Sequence, residues 1–177
     1  GGGWLTAVAI DPQNENTVYV SGDIMGVFKS TDGGNSFRFI NNGLKNLETQ
    51  AIAIAPKNPN TLYLATTDGV YKSTDGGGNW VLKRNGFPPF STTRFSAPIN
   101  ALAVDPNNTN IIYAGNGHAN GVQTLNRGPI AYGDGTLYKS TDGGENWQLA
   151  KTGIDSKATI FKIQVDPSNS QIVYAST

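Results

Sequence analysis

The chain has 177 residues, with thirteen Lys and Arg balancing thirteen Asp and Glu, no cysteine and one histidine. That is enough for one sizeable core, and the even charge with no basic run argues against a nucleic-acid or other polyanion partner. Disulfides, thiolate catalysis and Cys-ligated zinc are excluded, one histidine argues against a His-rich metal site or a Ser-His-Asp triad, and no apolar stretch approaches the roughly 18 residues that span a bilayer. Neither a metal nor a cofactor is expected.

Glycine, proline and asparagine are abundant and no segment holds a 3.6-residue period, so strands and turns are expected rather than helices. The first unit opens with AVAIDP, ending at Pro12, a small and β-branched run suited to a buried strand. A Pro-Asn turn follows, then TVYVSG, the connection SGDIMG, the strand GVFKS and the stretch STDGGNSF ending at Phe37. The second unit repeats this with AIAIAP to Pro56, TLYLAT, the short connection TTDG, GVYKS and STDGGGNW to Trp80. The third has ALAVDP to Pro106, a long insertion from Ala114 to Gly135, then TLYKS and STDGGENW to Trp147. The fourth has IQVDP to Pro167 and QIVYAS. Seven residues after each of these prolines stands a tyrosine: Tyr19, Tyr63, Tyr113 and Tyr174.

Four short strands per unit, repeated at about 40–45 residues, predict an all-β fold, a β-propeller of four-stranded antiparallel blades. Residues 1–177 are read as part of one propeller, with blades at about 4–46, 47–95 and 96–158 and an incomplete one at 159–177. About three and a half blades fall short of the usual ring. The remaining blades are expected from a longer chain or from another subunit.

The repeated stretch holds a carboxylate beside a hydroxyl, which invites a catalytic reading three times over. The residues argue for structure instead. Asp32, Asp75 and Asp142 can each accept backbone N–H groups a few residues on, and Ser30, Ser73 and Ser140 can add a second bond. The glycine pairs, Gly34, Gly77 and Gly144 among them, permit positive φ. Phe37, Trp80 and Trp147 are then expected to drop between sheets and anchor the turn. A calcium loop is the rival, but one carboxylate per turn and no bidentate Glu speak against it.

S-T-D-G-G-x-x-[FW] resembles the Asp-box, or BNR repeat, found in sialidases, family 74 glycoside hydrolases, sortilin-type receptors and a photosystem II assembly factor. The resemblance covers nearly the whole chain and implies a propeller without fixing a function.

In a meander, the proline turn and the box share one end of each blade, and the variable connections share the other. Binding groups are expected at the variable end. The third-blade insertion supplies His118, Asn120, Arg127 and Tyr132, and the link after the second blade supplies Phe90 and Arg94 beside Phe87 and Phe95. Aromatic rings beside polar groups suit a sugar or peptide. Packing of the phenylalanines onto the blade tops, and a solvated His118, are the plainer alternatives. Asp68, before Gly69, reads as a turn residue.

Asp23 stands in VYVSGDIMGVFKS, which resembles the first blade of family 74 glycoside hydrolases. The resemblance implies a catalytic base at Asp23, with Met25 departing from that family's glycine. The acid partner belongs to a second propeller. A turn-capping role for Asp23 is the alternative. The insertion also resembles a loop of secreted bacterial sortilin-like proteins, but Asn116 and His118 replace the usual Thr and Glu. The reading is therefore an extracellular or periplasmic module that binds a glycan or protein and is not catalytic on its own. The alternatives are a fragment of a family 74-like xyloglucanase-type hydrolase, and a structural or assembly subunit.

Overall fold

The computed structural model describes residues 3–88, 98–117, 136–150, 153–154 and 159–177. Its strands fall into four antiparallel sheets, three of four strands and one of two. The first holds β1 (Leu5–Asp11), β2 (Asn14–Gly22), β3 (Gly26–Ser30) and β4 (Arg38–Phe39). The second holds β5 (Thr49–Ile54), β6 (Leu62–Thr66), β7 (Gly69–Ser73) and β8 (Val81–Lys83). The third holds β9 (Ile99–Val104), β10 (Ile112–Asn116), β11 (Leu137–Ser140) and β12 (Gln148–Ala150). The last pairs β13 (Lys162–Val165) with β14 (Val173–Ser176). Strands pair in chain order within each sheet, and β1, β5, β9 and β13 pack side by side. This is a partial propeller, and among the described residues it does not close into a ring.

The alternation inside AVAI, AIAI and ALAV explains how the sheets stack. Strand residues point to opposite faces in turn. Ala7 and Ala9 pack forward against a core that contains Ile52, Leu62, Leu64 and Trp80 of the next sheet. Ala51 packs forward onto the core where Leu102 and Val104 point back. Ala101 and Ala103 meet Ile163 and Val165 in the same way. Small residues thus face forward and branched ones backward, so adjacent inner strands interdigitate. Each fully buried aliphatic side chain contributes roughly 1.5–3 kcal/mol. In β13 the two forward positions are Lys162 and Gln164, both exposed.

Hydrogen bonds then lock each blade to the next. Tyr19 stands opposite Lys29 across the strand pair, and both donate to the Gly76 carbonyl of the next box, at 3.3 and 3.1 Å. Tyr63 donates to the Gly143 carbonyl at 3.1 Å. In return, Trp80 Nε1 donates back to the Ile40 carbonyl at 2.7 Å, and Trp147 Nε1 to that of Lys83 at 3.1 Å. The tryptophan backbone N–H groups donate to Asn42 and Asn85. Gly43 and Gly86 follow those asparagines at positive φ, and a Cβ on either would overlap the tryptophan carbonyl. Glycine is therefore required at both seats.

Phe37 departs from the expectation drawn for the box aromatics. It is 45% exposed, where Trp80 and Trp147 are each 3% exposed. No described sheet lies behind the first blade, and phenylalanine has no N–H with which to lock. It rests over its own turn, within van der Waals reach of Gly34.

Candidate functional site

The two ends of the blades separate cleanly. The box glycines Gly33, Gly76 and Gly143 donate to Asn16, Asn60 and Asn110 of the proline turns, so boxes and proline turns share an end. At the other end the Asp23 N–H donates to Trp4 at 2.9 Å, Gly26 to Leu47, and Gly117 to Pro98. The third-blade insertion is rooted at this second end, where the Asn116 N–H meets the Thr136 carbonyl at 2.9 Å.

At the box end the three box carboxylates are engaged. Asp75 Oδ1 accepts the Ser73 hydroxyl at 2.8 Å and the Asn79 N–H at 2.8 Å, while Oδ2 accepts the Asn79 amide at 2.7 Å. Asp142 repeats this with Ser140 and Asn146, and Asp32 with Ser30 and Ser36. The serine hydroxyls in turn accept the Gly34, Gly77 and Gly144 N–H groups, each at 2.9 Å. Hydrogen bonds to the charged form lower a carboxyl pKa. Asp75 and Asp142 are held at about 2 chiefly by the Asn79 and Asn146 side chains, and Asp32 at about 2 chiefly by the Ser30 hydroxyl. A carboxylate saturated in this way is a poor base.

Asp23 differs. It is exposed in the turn between β2 and β3, and its carboxylate bonds to no described residue; its backbone alone is tied, to Trp4. Met25 lies so close to Gly3 and Gly22 that a Cβ on either would stand 3.3 and 3.1 Å from its terminal methyl. Asp68, the equivalent residue of the second blade, accepts the Thr66 hydroxyl at 2.7 Å and is spent on its turn. Between these two turns lies a cleft of about 370 Å³, lined by Ile24, Lys45, Asn46, Leu47, Glu48 and Asp68. Its wall is fixed by Asn46, which donates to the Thr67 hydroxyl at 2.9 Å; that hydroxyl donates on to Glu48 Oε2 at 3.1 Å. Sequence reasoning passed over Lys45 and Glu48, which sit in a linker with no repeat partner.

Phe90, Arg94, Phe95, His118, Asn120, Arg127 and Tyr132 lie outside the described residues. Phe87 is described and buried, stacked on Trp147 with ring centroids 5.1 Å apart and edge-on to Tyr138. It is a core residue. Among the described residues no cluster of His, Cys, Asp or Glu could hold a metal ion, and no helix is long and apolar enough to cross a membrane.

The fold and its saturated turns define a class, the Asp-box β-propellers. Solved structures show what the chain is similar to. An ancestral GH74 enzyme matches with a TM-score of 0.80 and 29% identity, over 98% of this chain and 22% of that one. The GH74 enzyme of Niastella koreensis matches with a TM-score of 0.66 and 25% identity, over 93% of this chain and 25% of its own. An auxiliary nutrient binding protein from Bacteroides thetaiotaomicron shares the fold, with a TM-score of 0.66 and 14% identity over 99% of this chain and 36% of its own. No family model and no curated protein matches the sequence. The chain is thus structurally GH74-like and spans about a quarter of the length of the two enzymes.

Proposed function

We propose that this chain is part of the first propeller of a family 74-like glycoside hydrolase, with Asp23 as the catalytic base. The observation that carries the proposal is Asp23 itself: an exposed carboxylate bonded to no described residue, at the variable end, in a chain 29% identical to a GH74 enzyme over 98% of its length. In an inverting hydrolysis such a base takes a proton from water as it attacks the anomeric carbon. A second carboxyl about 6.5–9.5 Å away protonates the leaving oxygen. That acid would come from a domain facing the loop end. The substrate is a β-glucan such as xyloglucan, and the setting is extracellular or periplasmic.

A glycan- or protein-binding module without catalysis is the second reading. It is favoured by Asp23 standing alone, since Asp68 is tied to Thr66 and Glu48 to Thr67. A chimera separates the two. Residues 3–177 replace the matching segment of the ancestral GH74 enzyme, and reducing ends released from xyloglucan are counted. Turnover is expected, with a loss of at least about 10²-fold in Asp23→Asn. A folded chimera whose turnover is unchanged by Asp23→Asn would refute the assignment.

A further inference from the structure

The blade junctions are built from the same parts, and the third junction holds only half of them. At the first two, the seat is a positive-φ glycine, Gly43 or Gly86, followed by Leu44 or Phe87 in the junction core. The carbonyl three residues before that glycine, of Ile40 or Lys83, accepts the incoming indole N–H. On the third blade Gly153 has a φ of 87°, Ile154 packs into the core beside it, and Ala150 stands three residues earlier. The difference is the space in front of the seat. A Cβ on Gly43 or Gly86 would overlap a tryptophan carbonyl, whereas a Cβ on Gly153 meets no described atom within 4 Å.

The donors that reach forward repeat the pattern. Lys29 lies over the Tyr19 ring and both donate to the second box; Tyr63 donates to the third box, and Lys72 to its Glu145 at 3.3 Å. Lys139 lies over the Tyr113 ring in the same way, 5.3 Å from its centroid, and the two donate to no described residue. The core agrees. The first junction receives Tyr71 and Trp80 from the next blade, and the second receives Tyr138 and Trp147. The third receives Ile163, Val165 and Val173, and no aromatic side chain. Strands β6 and β10 are buried throughout, but β14 is exposed at Tyr174, Ala175 and Ser176, and no described strand pairs with its outer edge. An unpaired edge is a template for another strand.

We infer that the face between the third blade and β14 is a docking site for a box hairpin of this protein's own repeat type. The occupant is an extended strand running into S-T-D-G-G-x-x-W, and it binds as a separate segment. Its strand pairs with β14, its box glycine carbonyl takes Tyr113 and Lys139, and its tryptophan closes on Gly153 with the indole N–H on the Ala150 carbonyl. Main-chain pairing supplies affinity and the tryptophan seat supplies specificity, as in other strand additions. The assignment is carried by continuity, since the two junctions with these parts both hold this segment. A second copy offering its whole first blade does not fit, because β13 and β14 already fill the inner half of the space beside β9 and β10. The site uses neither Asp23 nor a glycan, so it stands or falls apart from the catalytic reading.

The test adds a fluorescent peptide with the sequence of residues 69–83, GVYKSTDGGGNWVLK, to the purified chain and reads its anisotropy. Saturable binding is expected with a Kd below about 100 μM, together with slowed amide exchange along β14. The peptide carrying Trp80→Ala should bind at least about tenfold more weakly. In the chain, Gly153→Asn tests the seat, because asparagine tolerates positive φ but brings a Cβ. The melting temperature should hold while affinity falls at least about tenfold. Tyr113→Phe, which removes one hydroxyl, should weaken binding about three- to tenfold. A Kd weaker than about 1 mM would overturn the inference. So would equal binding of the Trp80→Ala peptide, protection that spares β14, or a folded Gly153→Asn chain that binds like its parent. A dimer of the chain that Gly153→Asn dissolves would put a second copy on this face and overturn it as well.

Discussion

The box end and the loop end of the same blades use the same residue type in opposite ways. At the box end, Asp32, Asp75 and Asp142 are closed in by serine hydroxyls, backbone N–H groups and a neighbouring polar side chain, and their pKa values are held at about 2. At the loop end, Asp23 keeps its carboxylate in solvent and uses its backbone to hold the turn. Repetition marks the residues that build the fold, and departure from repetition marks those left over for chemistry. A carboxylate in a recurring motif is therefore weak grounds for catalysis, whereas a solitary one at a variable turn merits the test.

The largest expected effect separates the two ends by activity. In the chimera, Asp23→Asn should lower turnover by about 10²–10⁴-fold, the usual contribution of a general base, with the melting temperature unchanged. Asp75→Asn should leave turnover nearly intact. The isolated chain should release no reducing ends from xyloglucan or related β-glucans; release that vanished in Asp23→Asn would mean that the acid partner lies within these 177 residues.

The next effect concerns stability. Trp80→Ala removes a buried indole and its bond to Ile40, and should cost about 3–5 kcal/mol in urea unfolding. Phe37→Ala, at a half-exposed position, should cost less than about 1 kcal/mol. Equal losses would mean that the first box is seated like the others. Between the two, Ser73→Ala should cost about 1–3 kcal/mol, because the Gly77 N–H loses its acceptor in a buried turn.

The smallest effect is in pH. The box carboxyls titrate lower in the folded chain than in the unfolded one, so their contribution is complete above about pH 4 and is lost as pH falls through about 2. The melting temperature should decline across that window, and Asp75→Asn, which cannot titrate, should flatten part of the slope. A slope that Asp75→Asn leaves untouched would detach the box hydrogen bonds from acid stability.

Much of this fold was legible because its determinants are side chains at fixed intervals. The AVAI runs, the tyrosines and the boxes all declare themselves. The locks were harder to see because they end on backbone carbonyls, which any residue supplies. One signal was present and overlooked. Gly43, Gly86 and Gly153 each stand six residues after a box aromatic, and the first two are the seats that the next tryptophan occupies. The candidate site was half legible. Asp23 stood out by its sequence context, but Lys45 and Glu48 sit in a linker whose pairing with the Thr67 turn no local pattern encodes. Phe87 was grouped with possible ligand contacts because an aromatic in a long loop looks free until its stacking partner, Trp147, is folded beside it.

The direction of the locks has a consequence for how such a chain emerges from a ribosome. Tyr19 and Lys29 reach an acceptor that is synthesised only later, at Gly76, and Tyr63 waits for Gly143. Each new box arrives at a seat already made, so assembly can proceed as a ratchet in which every blade secures the one before it. Coupling of this nearest-neighbour kind makes stability roughly a sum over junctions. It also makes the junctions interchangeable, since the first seat carries the same Asn-Gly pair as the second. A lineage could therefore gain or lose whole blades by recombination without inventing new contacts. Lys162 and Gln164 stand where the other blades place alanine, so a junction on that side of β13 would have to be built from different contacts.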